Sequence, residues 1–290
     1  MASQHPCPQC TLRFYWNTLT LGARLRKDGL FTVQNAKRLP ELVRCALGCA
    51  DSINMTRLFL SPSRNRYPYR FRSRSGVKLE LKDWADLTTA WAIFCRREYA
   101  IPSNAKLIVD LGANIGVFTA YAASIASQAK FVCLEPFPKT YAELQKTIRD
   151  NDLSDRVIPL QAAIAGETGQ RRIDAAADTP GHARKLVSGN GAGDTLVVPT
   201  MSISELIELA RERTGLPAVD LLKIDVEGSE HEIFQTAAPG TLAPVRNIQL
   251  EYHSDAPKAP LFAALKAAGF RCTRDDVYGV DAGIAHFEAA

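Results

Sequence analysis

From Lys106 onward the chain alternates short apolar runs with longer segments of helical periodicity. The apolar runs are Leu107 to Leu111, Phe131 to Leu134, Arg156 to Ala163, Val219 to Asp225 and Asn247 to His253. Short runs bounded by turn residues read as strands buried on both faces. Between them, Val117 to about Ser127, Lys139 to Asn151 and Ser202 to Arg213 read as helices. Ser202 with Glu205 forms a capping-box pattern at the start of the last of these. Glu227-Gly228-Ser229-Glu230 reads as the turn into a further helix ending near Thr236. A helix over 257–268 is closed by Gly269. Phe270 to Thr273 and Ile284 to Glu288 are expected to pair antiparallel at the sheet's edge. Strands alternating with helices in this way predict a doubly wound α/β sheet.

Ahead of Lys106 the pattern changes. Residues 11–60 read mostly helical, with Leu39, Leu42, Val43, Ala46 and Leu47 recurring at helical spacing. Ser61-Pro62-Ser63 signals a loop. Strict alternation follows: Tyr69 and Phe71 face one way while Arg70, Arg72 and Arg74 face the other. Ser75-Gly76 turns the chain, and Val77, Leu79 and Leu81 then alternate with Lys78, Glu80 and Lys82. That is a half-buried hairpin with a basic outer face. Asp83 to Glu98 reads as an amphipathic helix with Trp84, Leu87, Trp91 and Phe94 or Cys95 on one stripe. It is expected to pack the hairpin onto the following domain or to lid a cleft. The boundary falls at Ile101-Pro102, giving a cap over 1–104 and a larger domain over 105–290. Gly166 to Ala175 and Leu186 to Val198 hold short β-prone pieces. The Gly- and Ser-rich stretch His182 to Asp194 reads as a mobile loop near a pocket mouth.

Composition narrows the class. The chain has 290 residues, 46% hydrophobic and 23% charged, which is ample for a core. No apolar run is long enough for a membrane span. The N-terminus lacks the pattern of a signal peptide. Seven scattered cysteines fit a reduced, cytoplasmic setting better than a disulfide framework. Net charge is +4, divided as +10 over residues 1–104 and −6 over 105–290. A basic front on an acidic body implies an anionic partner or a charged domain interface. Cys7-Pro-Gln-Cys10 and Cys45 with Cys49 supply four thiols, enough for a tetrahedral zinc; equally, the second spacing fits an ordinary helix.

Candidate chemistry gathers at the first strand–turn–helix–strand unit. Asp110 ends the first apolar run, Gly112-Ala-Asn114-Ile-Gly116 forms the turn, and Glu135 ends the second run, nineteen residues past Gly116. Gly112 and Gly116 are expected to bare the backbone to a ligand. A carboxylate at the Glu135 position accepts both hydroxyl hydrogens of a ribose. A dinucleotide loop needs glycines where this chain has Asn114 and Val117, and Asp110 would repel a pyrophosphate. A nucleoside cofactor that is cationic and lacks phosphates fits better, and S-adenosyl-L-methionine is such a molecule.

The stretches VDLGANIGVFT, CLEPFP, LLKIDVEGSEHEIF and IQLEYH resemble the FkbM-type S-adenosylmethionine-dependent methyltransferases, in order from Lys106 to the C-terminus. The resemblance implies a Rossmann-like class I methyltransferase sheet of seven strands, here with a small N-terminal α+β cap. It also implies O-methylation of a saccharide or natural product. The expected cofactor contacts are Asp110, Gly112, Asn114, Gly116, Phe118, Glu135, Pro136, Ala162, Ala163 and Asp225. Ala162 and Ala163 enter because the loop after the third strand lies beside the adenine in the resembled fold. Deprotonating an alcohol for in-line methyl transfer calls for a base. Lys223, Asp225 and Glu227 alternate on one strand end, and Glu251 and His253 on the next, so each set shares a face. His253 is the first candidate base and Asp225 or Glu227 the second. Glu251 is expected to orient His253 or to bind a substrate hydroxyl. Lys223 is expected to pair with a carboxylate or with an anionic substrate. Asp225, Glu227 and Glu251 also offer oxygen ligands for Mg²⁺, which nothing in their spacing demands. The partner expected is a small molecule bearing a hydroxyl, with an anionic or carrier-attached form left open. The chain is a monomer or a homodimer. Three rival readings remain: a nucleic-acid methyltransferase using the basic cap, a nicotinamide-dependent oxidoreductase, and an interaction protein that retains a degenerate cofactor fold.

Overall fold

The computed structural model describes residues 38–60, 66–174, 195–253 and 256–290. Cys7, Cys10, the helical reading of 11–37, most of the loop after Leu60 and the stretch His182 to Asp194 lie outside these residues.

The cap holds helices α1 (Leu39–Gly48) and α2 (Ser52–Leu60), hairpin strands β1 (Tyr69–Arg72) and β2 (Lys78–Leu81), and helix α3 (Trp84–Trp91), which runs into a π turn, Ala92–Arg96. The hairpin pairs Tyr69 with Leu81 and Phe71 with Leu79, which keeps the alternating apolar residues of the two strands on one face. Its charged face meets the larger domain. Lys82 pairs with Glu143, and Lys146 pairs with Glu80. Asp83 caps α3 by accepting from the backbone of Ala85 and Asp86. The stripe expected on this helix is in fact nearly a full circumference: Leu87, Thr88, Ala90, Trp91, Ile93, Phe94 and Cys95 are all buried. Phe59 stacks on Trp91 at 4.1 Å, and Phe94 meets Phe71 and Tyr121.

Helix α1 departs from its hydrophobic pattern. Among the described residues its apolar stripe faces outward, with Val43 47% and Leu47 72% exposed. Its polar side faces the protein instead. Trp91 donates its indole N–H to Glu41 (2.8 Å), and Arg44 donates to the carbonyl of Arg96 (3.0 Å). Those carbonyls end the π turn and have no helical partner of their own, so a guanidinium is drawn there.

The larger domain runs β3 (Leu107–Leu111), α4 (Val117–Ile125), β4 (Lys130–Leu134), α5 (Pro138–Asp150), β5 (Val157–Leu160), β6 (Ala163–Ile164), β7 (Gly169–Asp174), β8 (Thr195–Met201), α6 (Ile203–Thr214), β9 (Leu221–Ile224), α7 (Glu230–Thr236), β10 (Asn247–Tyr252), α8 (Lys258–Ala267), β11 (Phe270–Gly279) and β12 (Ala282–Ala289). Seven of these strands form one sheet in the order β11-β12-β10-β9-β3-β4-β5. The five from β10 to β5 are parallel, and β12 and β11 close the edge antiparallel. The fold is therefore the Rossmann-like α/β sheet of class I methyltransferases.

Alternation assigns the two faces. Ile108, Phe131, Cys133 and Leu221 pack toward α4 and the cap. Leu107, Val109, Leu111, Val132, Leu134, Leu222 and Ile224 pack toward α6, α7 and α8. The first of these cores is continuous with the cap, running through Phe71, Trp91 and Phe94 to Val117 and Phe118.

Two strand readings change. The third run stops at Leu160, and Ala163–Ile164 leaves to pair with Thr200–Met201 in a separate three-stranded sheet. Pro159 in β5 lacks a backbone N–H, which an edge strand tolerates. The closing hairpin is longer than its apolar pattern implies, because Arg271, Arg274, Asp275 and Asp276 lie exposed on the edge strand. The capping box at α6 is half formed. Ser202 accepts from Glu205 N (3.2 Å), but the Glu205 carboxylate accepts from Thr168, whose hydroxyl oxygen accepts from Ser202 N (3.0 Å).

Candidate active site

The chain runs β3, β4, β5 outward and then returns across β3 to β9 and β10. The switch point lies between β3 and β9, and ligands of such sheets bind beyond the carboxyl ends of the strands there. The glycine loop leaves β3 at this place. Its Gly112 and Ala113 N–H groups donate to the Leu134 carbonyl (3.1 and 2.9 Å), and Asn114 N donates to Glu135 Oε2 (3.0 Å). Glu135 Oε1 accepts from Phe137 N (3.0 Å). Glu135 thus fixes the loop to the tip of β4. Asn114 has a positive φ of 50°, a conformation that Asn adopts more readily than most residues.

The two glycines have a reason the sequence does not display. A Cβ on Gly112 would stand 1.8 Å from the Asp225 carbonyl oxygen, and one on Gly116 2.9 Å from Leu144 Cδ1. The space opposite each glycine is filled by the protein itself, so the loop is pressed against β9 and α5. Pro136 follows Glu135 at the loop's flank, half-buried. Ala162 and Ala163 are buried beside β5's end.

Lys223 sits beneath the loop, 3% exposed. Its ammonium donates to the carbonyls of Leu111 and Gly112 (3.2 and 2.9 Å) and lies 3.2 Å from Asp110 and 3.6 Å from Asp225. Burial alone would lower its pKa, but the carboxylates of Asp110 and Asp225 outweigh burial and hold it above its ordinary value. Asp110 is wholly buried and also accepts from the Thr119 hydroxyl (2.6 Å). Phe118 is buried below, with the Lys223 ammonium 5.8 Å from its ring centre. Asp110, Lys223 and Phe118 therefore support the loop from inside, while Asp225 stands at the open end with its side chain 29% exposed.

The remaining candidates meet one step further on. His253 Nδ1 lies 2.9 Å from Glu230 Oε1, and Nε2 lies 3.6 Å from Glu227 Oε2. Glu230 is 1% exposed. Glu251, expected to orient His253, is held instead by the hydroxyls of Tyr99 (3.3 Å) and Tyr278. Asp225, Glu251 and His253 each bring one donor atom within 4.8 Å of the other two, whereas the oxygen set anticipated for Mg²⁺ included Glu227. Glu227 has a positive φ of 53° at the turn into α7, so its backbone is strained at the point where its carboxylate meets the imidazole. Burial, reinforced by the charges of Asp225, Glu251 and Glu230, pushes the Glu227 carboxyl up to about 8 despite the nearby imidazole. Burial and Asp225 push Glu251 up to about 7. Burial disfavours the imidazolium of His253, but Glu230, Glu227 and Glu251 hold its pKa well above the ordinary value.

Glu230, Tyr99 and Tyr278 had no assigned role in the sequence. Glu230 closes the KIDVEGSE stretch, which was the available signal. Tyr99 and Tyr278 lie far away along the chain in segments with no motif.

A family model described as the methyltransferase FkbM domain matches residues 110–272. Methyltransferase sdnD of Sordaria araneosa is 30% identical over 200 residues, covering 60% of this chain and 77% of that protein. The 31-O-demethyl-FK506 methyltransferase FkbM of Streptomyces tacrolimicus is 28% identical over 189 residues, covering 57% of this chain and 72% of that protein. Among solved structures, a methyltransferase FkbM from Methylobacillus flagellatus KT has a TM-score of 0.46 at 14% identity, covering 92% of this chain and 60% of that one.

Proposed function

The chain belongs to the FkbM methyltransferase family, and from that premise we propose that it is an S-adenosyl-L-methionine-dependent O-methyltransferase acting on a hydroxyl of a saccharide or natural product. The cofactor would supply an electrophilic methyl group on a sulfonium centre. The donor set supports it: Glu135 and Asp225 stand at the carboxyl ends of β4 and β9, where acidic groups favour a cation and disfavour a pyrophosphate. Glu135 would accept from ribose hydroxyls, with Pro136, Ala162 and Ala163 flanking the adenosine, the loop Gly112 to Gly116 following its backbone, and Asp225 nearest the cationic end. Asp110, Lys223 and Phe118 act by holding that loop in shape.

One observation carries the base assignment: Glu230 holds His253 Nδ1 at 2.9 Å and leaves Nε2 beside Glu227. With Nδ1 donating to Glu230, Nε2 is the basic nitrogen, the logic of a carboxylate-oriented imidazole. His253 takes the acceptor's proton, and Glu227 shares it. Glu251, with Tyr99 and Tyr278, forms a polar wall suited to a hydroxyl-rich acceptor. A relative named for a 31-O-demethyl compound supports oxygen as the receiving atom. The free thiols Cys45, Cys49, Cys95, Cys133 and Cys272 support a reducing, cytoplasmic setting.

Calorimetric titration with S-adenosylmethionine, followed by transfer assays on a panel of saccharides and polyketide alcohols, tests the reading. Glu135→Ala should abolish cofactor binding. His253→Gln should keep it and lose about 10²–10⁴-fold in turnover. A wild-type protein that binds no S-adenosylmethionine, or a His253→Gln variant with undiminished turnover, would overturn the cofactor or the base assignment respectively.

A further inference from the structure

Three thiols meet in the cap, none of them among the residues of the site just described. Cys45 comes from α1, Cys49 from the residue that ends it, and Cys95 from the π turn. Their sulfurs all lie within 4.8 Å of one another, and the residues are 0%, 1% and 0% exposed. Isolated buried cysteines behave as small apolar groups and pack against carbon. These converge on each other from two chain segments, the end of α1 and the π turn. Thiolates about 2.3 Å from a tetrahedral zinc stand about 3.8 Å apart, which the observed cluster accommodates.

We propose that Cys45, Cys49 and Cys95 bind a structural zinc ion. The ion ties together the three pieces of the cap that meet at this place. The residue after α1 is bridged to the hairpin through Cys49 and Ser73, and Arg44 is already bonded to the carbonyls of Cys95 and Arg96. Burial this complete fits a closed structural site. The spectrum of the metal-loaded protein reads its fourth donor.

The test uses the full chain purified in reducing buffer without chelator. Elemental analysis should find about one zinc per chain, released by a mercurial. Replacement by Co²⁺ should give a thiolate-to-metal charge-transfer band whose intensity counts the sulfurs. Cys45→Ser and Cys95→Ser should lose the metal and Cys272→Ser, on the exposed edge strand, should keep it. Should the cap variants fail to fold, the wild-type protein carries the test: chelation should lower its Tm and added zinc restore it. Protein that elutes metal-free after incubation with zinc, or in which two of the three thiols are found joined in a disulfide, would overturn the proposal. These readouts are independent of methyl transfer.

Discussion

Gly112→Ala separates two effects that a glycine at this position combines. Its φ is +73°, and the added methyl would fall 1.8 Å from the Asp225 carbonyl oxygen and 3.0 Å from its carbon. Gly215, which ends α6, has φ +69° and nothing within 4 Å of its would-be Cβ. Both substitutions place an L-residue in the left-handed region, at about 1–2 kcal/mol each. Only Gly112→Ala adds a collision with backbone, and overpacking of that kind costs about 1–3 kcal/mol more. The contact is far inside any tolerable separation and the obstacle is main chain, so the upper end applies. Total losses of about 4–5 kcal/mol for Gly112→Ala and about 1–2 kcal/mol for Gly215→Ala follow. Urea unfolding followed by tryptophan fluorescence measures both. Because relief must come from moving the β9 exit, Gly112→Ala should also weaken cofactor binding while Gly215→Ala leaves it intact. Equal shifts in the urea midpoint for the two variants would refute the claim that the loop is pressed onto β9.

Three other outcomes are expected. Turnover should rise from pH 7 to pH 9, because the Glu227 carboxyl is raised to about 8 and His253 lies well above its ordinary value. The proton-free form of the pair is therefore scarce at neutrality and grows with pH; a pH–rate profile flat through 8 would count against His253 as base. Lys223→Met should strand the wholly buried Asp110 and destabilise by about 3–5 kcal/mol, with Asp110→Asn in the same chain recovering much of it; a double-mutant cycle showing no coupling would mean the ion pair does not hold the loop. Ser202→Ala should lose about 1 kcal/mol by freeing Glu205 N, measured as a urea midpoint shift.

The strands and glycine loop of the sheet's centre were legible because burial on both faces forces an apolar run, whatever else the strand does. The hairpin was legible because one face is wet and the period of two survives. Three features were hidden for identifiable reasons. Helix α1 turns Glu41 and Arg44 inward to serve an indole N–H and the end of the π turn, so its apolar spacing announces the helix but not the face that is buried. Strand β11 carries its charges on an exposed edge, so it offered no hydrophobic pattern. Glu230 reaches His253 across 23 residues of chain, and the turn that aims it depends on Glu227 adopting φ +53°, which no local preference announces.

The least legible feature explains the most about the site. Asp110 stands opposite Lys223, Lys223 opposite Gln249, and Gln249 opposite His286, one unbroken polar row across four strands of a buried face. In sequence each is a lone polar residue inside an apolar run, and nothing marks them as neighbours. Each finds a main-chain partner or an ion pair: Asp110 the ammonium of Lys223, Lys223 the loop carbonyls, Gln249 the N–H and C=O of Ala100, and His286 the carbonyl of Glu98. Buried polar groups left unpaired are costly, so the row demands backbone from outside the sheet, and it draws in two segments. One is the glycine loop. The other is the last stretch of the cap, residues 98–100, which is thereby laid across β10 and β12. Tyr99 lies in that stretch, between two anchored neighbours, and its ring packs edge-on to Phe118 while its hydroxyl reaches Glu251. The same row that shapes the loop thus carries a cap residue into the candidate active site, which makes the cap part of the site's geometry as well as its neighbour.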